Sequence, residues 1–229
     1  MFKLKETKYQ GIAVSNFGSP SELVWSELNE KNYRLMSDDV LIKVKATSVN
    51  HFDVLYRAGY FSKNESLSKP YVPGSDCSGI VVQKGRNVTE FNLTDRVYTC
   101  ISTKTGTYAR YVVASATNGT VHKLPFKVSF VQGACYGIPY FLAYRILTRV
   151  ARVSPGSSVL VKGASGAVGT AVTQLARTMS MKVYGTTGSK EGTEVARQCG
   201  LVDQLNQFLI RLVVLFSVHY KYSITMMQI

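Results

Sequence analysis

Ser158-Val159-Leu160-Val161-Lys162-Gly163-Ala164-Ser165-Gly166-Ala167-Val168-Gly169 is the stretch that decides the fold. Its first five residues form a short β-branched run without polar alternation, the pattern of a strand buried on both faces of a parallel sheet. The run feeds straight into glycines, and residues 170–179 continue with helical character. Lys182-Val183-Tyr184-Gly185-Thr186 then reads as the next parallel strand. Strand, glycine turn, helix and strand make one βαβ unit, the context in which a glycine pattern carries meaning. Glycines there let the backbone approach a pyrophosphate, and the first free amides of the helix face its charge. Ser165, Gly166, Ala167 and Val168 are the candidate residues lining that turn.

The end of the second strand discriminates between nicotinamide dinucleotides. NAD sites place Asp or Glu about 20 residues beyond the glycines to accept from the ribose hydroxyls. Here the segment is Thr187-Gly188-Ser189-Lys190. It holds no carboxylate to repel a 2′-phosphate, while Ser189 and Lys190 can donate to one. Gly188, Ser189 and Lys190 are therefore candidate cofactor-binding residues, and NADPH is the expected cofactor. Lys190 also reads as an ordinary surface lysine at a helix start.

Upstream the texture differs. From Tyr9 to about Thr120 the chain is a series of short, β-branched, alternating runs separated by Gly, Pro and Asn. Residues 11–17, 40–49, 78–84, 96–101 and 108–114 are the predicted strands. Residues 132–153 predict one helix, with Phe141, Tyr144, Ile146 and Leu147 on its core face and Arg145, Arg149 and Arg152 together on another. The expected fold class is α/β plus β: a β unit over 1–128, a partial dinucleotide-binding unit over 129–204 and an apolar tail over 205–229.

Of the 229 residues 45% are hydrophobic and 18% charged, a balance that can bury a core. No apolar run reaches a membrane span and the N-terminus lacks a signal-peptide pattern, so no membrane association and a cytoplasmic location are expected. Cys77, Cys100, Cys135 and Cys199 form no C-x-x-C pair, which predicts buried thiols rather than disulfides or a zinc knuckle. The net charge is +13, and residues 122–180 contain seven Lys or Arg and no Asp or Glu. Such a run suits an anionic ligand, whether dinucleotide or nucleic acid, or is simply a solvated basic face.

Four further stretches then fall into a pattern. Ser48-Val49-Asn50-His51-Phe52-Asp53, Tyr71-Val72-Pro73-Gly74-Ser75-Asp76-Cys77-Ser78-Gly79, Asp95-Arg96-Val97 and Gly137-Ile138-Pro139-Tyr140-Phe141, followed by the glycine turn, resemble the landmarks of the medium-chain dehydrogenases and reductases. Within that superfamily they are similar to the zinc-free, zeta-crystallin-like quinone oxidoreductases, over roughly residues 9–200. The resemblance implies a GroES-like β-barrel domain followed by a Rossmann domain, with the active site in the cleft between them. It implies that Asn50 faces nicotinamide and substrate, with Tyr56 and Tyr60 nearby, and that the chemistry is NADPH-dependent hydride delivery to a quinone or enone. It also implies a homo-oligomer. Zinc-dependent relatives carry Cys at the position of Asn50 and His at that of Ser75, so no metal is expected. A quinone's oxygens can take protons from solvent, so no catalytic acid is named. The sequence departs from its relatives at Leu55 and Phe61, where they carry tyrosines, at Leu142 in place of Thr, and at Arg110 in place of Glu.

After Gly200 the likeness ends. A six-stranded doubly wound domain would need about four more strands at ~30 residues per βαβ unit. The chain continues instead with the apolar, β-prone run Phe208-Leu209-Ile210-Arg211-Leu212-Val213-Val214-Leu215-Phe216-Ser217-Val218. It is read as truncated within its dinucleotide-binding domain, with that tail as an aggregation-prone or substitute strand and the activity of this form left open. Two readings from other classes stand beside the reductase. One is RNA binding through residues 122–177, which charge alone supports, since the chain has no RNP-like motif and no KH loop. The other is an inactive dimer partner of a full-length subunit.

Overall fold

A computed structural model describes residues 8–29, 35–61, 67, 70–100, 106–204 and 226–228. The chain divides into two units, residues 1–138 and 139–229. The first holds β1 (Lys8–Ala13), β2 (Val24–Asn29), β3 (Asp39–Thr47), α1 (His51–Arg57), β4 (Asp76–Lys84), β5 (Arg96–Cys100), β6 (Tyr111–Ser115), β7 (Val121–Lys123) and α2 (Phe130–Ala134). Five of its strands form an antiparallel sheet in the order β6-β3-β4-β5-β7, and β1 pairs with β2 in a separate antiparallel ribbon.

β3 shows why the sequence folds this way. Successive side chains of a strand point to opposite faces. Val40 and Ile42 pack with Val81, Val97 and Val112, while Leu41 joins Tyr9, Leu28 and Val113 in a second core. A strand that feeds two cores reads as continuously apolar at that end. Two register shifts against β4 bend the pair. Gly79 lies where β3 crosses closely: a Cβ there would fall 2.2 Å from the Lys43 carbonyl oxygen.

The Asp95-Arg96-Val97 landmark is architectural. Val97 is buried, and the Arg96 guanidinium sits 4.5 Å from the Phe130 ring centre. It donates to the carbonyls of Pro125 (3.2 Å), Phe126 (2.7 Å) and Val128 (2.6 Å). Those contacts shape the approach to α2, which opens with a reciprocal cap between Ser129 and Gln132. The Ser78 hydroxyl donates to the Phe130 carbonyl. α2 thus packs on β3, β4 and β5, and the first unit runs on to Ile138 instead of stopping at the change of texture near residue 128.

The second unit contains α3 (Ile138–Arg145, its first residue still in the first unit), β8 (Ser158–Lys162), α4 (Ala167–Thr178), β9 (Lys182–Thr186), α5 (Lys190–Cys199), β10 (Asp203–Gln204) and β11 (Met226–Gln228). β8, β9 and β10 are parallel in the order β10-β9-β8, and β11 pairs antiparallel with the other edge of β8. Val159, Val161 and Val183 share a core with Ala171, Val172, Ala176 and Leu147. The apolar run 208–218 lies outside the described residues.

The single helix expected over 132–153 is broken. α2 ends at Ala134, and α3 begins afresh at Ile138 with Pro139, which tolerates a first turn but not a helix interior. A wider turn follows over residues 146–150, with Ala151 N–H donating to the Ile146 carbonyl at 2.8 Å. Such a turn shifts the helical phase. Ala143 and Leu147, four residues apart, face the core while Tyr144 is exposed. Arg152 lies past the helix in a left-handed conformation (φ 49°), so it does not share a face with Arg145 and Arg149.

The close crossing at Gly79 makes a prediction. Gly79→Ala should destabilise the first unit by about 1–3 kcal/mol, because the obstructing atom is backbone. In Gly188→Ala the new Cβ meets nothing within 4 Å, and stability should change by less than about 0.5 kcal/mol. Urea unfolding of both variants compares the two.

Candidate dinucleotide and substrate sites

The glycine turn of the second unit is built by backbone contacts. Gly163 leaves β8 in a left-handed conformation (φ 75°) that favours glycine. Its N–H donates to Thr186 Oγ1 (3.2 Å), and the Ala164 N–H donates to the Thr186 carbonyl (2.8 Å), fastening the turn to the end of β9. Gly166 N–H donates back to the Gly163 carbonyl (3.0 Å), and Gly166 caps α4 without a side chain. A Cβ at Gly169 would lie 2.1 Å from the Gly163 oxygen, so glycine is what lets α4 start this close to the strand. Ser165 and Val168 are half-buried, whereas Gly166 and Ala167 are exposed. The four predicted residues therefore sit on one turn with the free amides of a twelve-residue helix behind it. This arrangement fits a pyrophosphate.

The second element of the site is the start of α5. Buried Thr187 and Thr193 share a hydroxyl contact of 2.6 Å that fixes its first turn. Ser189 caps the helix, its Oγ accepting from Gly192 N–H at 3.0 Å, and Gly188 and Lys190 are exposed beside it. A Cβ on Gly192 would fall 2.9 Å from Ser165 Oγ, so the two helix starts adjoin and the predicted cofactor residues lie together. Sequence reasoning missed Glu191. Its own backbone amide and the Ser189 hydroxyl hold its carboxyl below the usual range. A carboxylate thus stands one residue beyond the Thr187-Gly188-Ser189-Lys190 segment.

In the first unit, Asn50 caps α1 and joins a buried polar cluster. Its Nδ2 donates to Asp76 Oδ2 (2.8 Å) and to Ser48 Oγ (3.2 Å). Asp76 is fully buried, and the same oxygen accepts from Ile138 N–H (2.9 Å) and the Ser48 hydroxyl (3.4 Å). Asp76 Oδ1 has no partner among the described residues. Burial raises the Asp76 carboxyl to about 6, against the lowering effect of the Ile138 amide and Asn50. Neighbouring Asp53 accepts from Asn50 N–H (2.8 Å), the Ser75 hydroxyl (2.5 Å) and the Tyr108 hydroxyl (3.3 Å). Ser75 therefore spends its proton inside the protein. Asp53, Asp76 and Tyr108 were not singled out from sequence, although a carboxylate opening an apolar strand such as β4 is a usable signal.

α1 is inverted relative to an ordinary surface helix. It buries Asp53 and Arg57 and exposes Phe52, Val54 and Tyr56. Tyr56 stands edge-on to Tyr71 (5.3 Å) and Phe17 (6.1 Å), while Phe61 lies 5.5 Å from Phe52 and 5.4 Å from Tyr60. Tyr56 and Tyr60 thus belong to one largely exposed aromatic patch, although each is a residue away from the tyrosine of related sequences. Among the described residues no three His, Cys, Asp or Glu side chains cluster to hold a metal, and no helix is long and apolar enough to cross a membrane.

Known proteins share this architecture. A family model for the alcohol dehydrogenase GroES-like domain matches residues 36–126. The human quinone oxidoreductase is 47% identical over 206 residues, covering 86% of this chain and 58% of its own. A mycobacterial quinone oxidoreductase structure superposes with a TM-score of 0.74 at 28% identity, over 86% of this chain and 58% of that one. A mycobacterial structure in complex with NADPH gives 0.72 at 27% identity with the same coverage. The chain therefore spans about 58% of the length of the relatives it matches. With a GroES-like domain ahead of a partial Rossmann-type α/β unit, and with sequence identity of this order, the chain belongs to the medium-chain dehydrogenase/reductase superfamily.

Proposed function

We propose that this protein is an NADPH-dependent reductase of quinones or enones. The observation that carries the reading is the adjoining pair of helix starts at Ser165 and Gly192, which puts the glycine turn after β8 beside the Gly188-Ser189-Lys190 segment after β9. The similarity to proteins named quinone oxidoreductases supports the substrate class. Bound NADPH would supply the hydride. The α4 amides at Ala167 and Val168 would face the pyrophosphate, and Lys190 would donate to the 2′-phosphate, with Ser189 beside it as the cap of α5. The exposed rings of Phe52, Tyr56 and Tyr60 offer apolar faces against which a planar ring can pack. Asn50, at the start of the helix that carries Phe52 and Tyr56, would face the ring seated there, and no side chain is required to donate a proton to a reduced quinone.

Calorimetric titration should show tighter binding of NADPH than of NADH; equal affinities would remove the basis for the 2′-phosphate site. Lys190→Ala should weaken NADPH by about 1–3 kcal/mol and leave NADH nearly unchanged. Oxidation of NADPH followed at its absorbance with a simple quinone tests the reaction itself. A second expectation concerns metal. Asn50 and Ser75 stand where zinc-dependent relatives have thiolate and imidazole, and both are engaged with carboxylates. Elemental analysis of the purified protein should find well below stoichiometric zinc, and chelator treatment should not change nucleotide affinity.

A further inference from the structure

Asn50 has no donor left to offer a ligand. A carboxamide nitrogen carries two hydrogens, and here one lies on Asp76 Oδ2 at 2.8 Å and the other on Ser48 Oγ at 3.2 Å. An ionised carboxylate only accepts, so the network decides which end of the amide faces Asp76: the nitrogen. Asp76 itself cannot turn away. It is fully buried, Ile138 N–H holds the same oxygen at 2.9 Å, and the backbone of Gly137 lies so close that a Cβ there would fall 2.1 Å from the carboxylate. Asn50 Oδ1, with two lone pairs, is the polar atom of that side chain with capacity for a new partner.

We propose that Asp76 is a positioning residue that makes Asn50 an obligate hydrogen-bond acceptor, so that the ligand group seated against Asn50 is a donor, a carboxamide N–H or a hydroxyl. The ligand side of this inference rests on the reductase reading above; the orientation of Asn50 does not. A quinone carbonyl presents lone pairs only and would face the Asn50 oxygen as acceptor against acceptor. Its oxygens are then directed away from Asn50, towards solvent that can protonate them. The carboxamide of a nicotinamide ring, or the hydroxyl of a reduced product, is complementary. Protonation of Asp76, at the unpartnered Oδ1, would remove the carboxylate charge and weaken the hold of Oδ2 on Asn50. The ionisable groups around Asp76 are Asp53, whose charge acts in the same direction as burial, and Cys77, Cys100 and Tyr108, each shifted upward by burial and so neutral through the range in which Asp76 titrates.

The test has a ligand-free arm and a ligand arm. In nitrogen-edited NMR of the whole chain, the Asn50 side-chain NH2 pair, assigned by its loss in Asn50→Ala, should shift with a midpoint near 6 as Asp76 titrates. Asp76→Asn should abolish that transition. A pair that responds at no pH above acid unfolding, or that responds equally in Asp76→Asn, overturns the orientation. Should Asp76→Asn fail to fold, the wild-type titration and Ser48→Ala decide: freeing one hydrogen must speed its exchange with solvent, and unchanged exchange overturns the assignment. For the ligand, NADP is compared with its 3-acetylpyridine analogue, in which a methyl ketone replaces the carboxamide. Several-fold weaker binding of the analogue, with a smaller gap in Ser48→Ala, identifies the carboxamide as the donor. Equal binding of the two, with a hydroquinone preferred over its quinone, assigns the donor to the hydroxyl; no preference in either pair overturns the donor rule. Failure to bind any dinucleotide would count against the proposed function, while the NMR arm and the hydroquinone pair would still judge this inference.

Discussion

One buried oxygen organises the functional end of the first unit. Asp76 Oδ2 gathers Ser48 and Asn50 from the segment before α1, and Ile138 from the end of the unit, at distances of 2.8 to 3.4 Å. Burying a carboxylate is costly unless hydrogen bonds compensate it, and burial pushes Asp76 up even though the Ile138 amide and Asn50 act against it. The cost is met because the segments that bind it have few alternatives: without Asp76, the Asn50 amide and the Ile138 N–H would lose their acceptor. Thr47 adds a further tie, its hydroxyl donating to the Asp76 carbonyl at 2.7 Å.

Both candidate sites are held by backbone proximity that only glycine permits. Gly137 leaves room for the Asp76 carboxylate, and Gly169 leaves room for the Gly163 carbonyl beneath the start of α4. In each case the missing Cβ is replaced by a polar atom that sets direction: the carboxylate orients Asn50, and the carbonyl accepts the Gly166 amide that closes the turn.

The βαβ unit was legible because a buried strand, a glycine turn and an amphipathic helix leave separate periodic signatures, and β8, α4 and β9 form where those signatures lie. The β character of the first unit was legible from the same alternation, and β3 and β4 match closely. β2 and β7 were not: Val24–Asn29 is half polar and largely exposed, and Val121–Lys123 is too short to show a period. The helix over 132–153 was misjudged because apolar spacing says nothing about a phase change within the run. Site residues that act through the glycine motif were visible as motif members. Asp53 and Asp76 were quoted within landmarks, yet their roles depend on long-range contacts, Asp76 with Ile138 and Asp53 with Tyr108, that no local spacing encodes.

The same distinction governs the basic run. In sequence, residues 122–180 are uniformly cationic. In the fold three of those charges have distinct surroundings. Lys123 pairs with Asp95 at 3.2 Å, Arg152 leaves its helix, and the Arg177 side chain packs where a Cβ on Gly200 would meet it at 2.6 Å. Lys123 and Lys127 belong to the first unit, and the remaining five belong to the second. A stripe for nucleic acid requires cations that follow one face or groove, whereas a dinucleotide requires only a few donors at a helix start. Two such helix starts, at Ala167 and Lys190, follow from the glycine turn and the cap of α5. Local backbone geometry, more than net charge, therefore marks where this chain offers free amide donors.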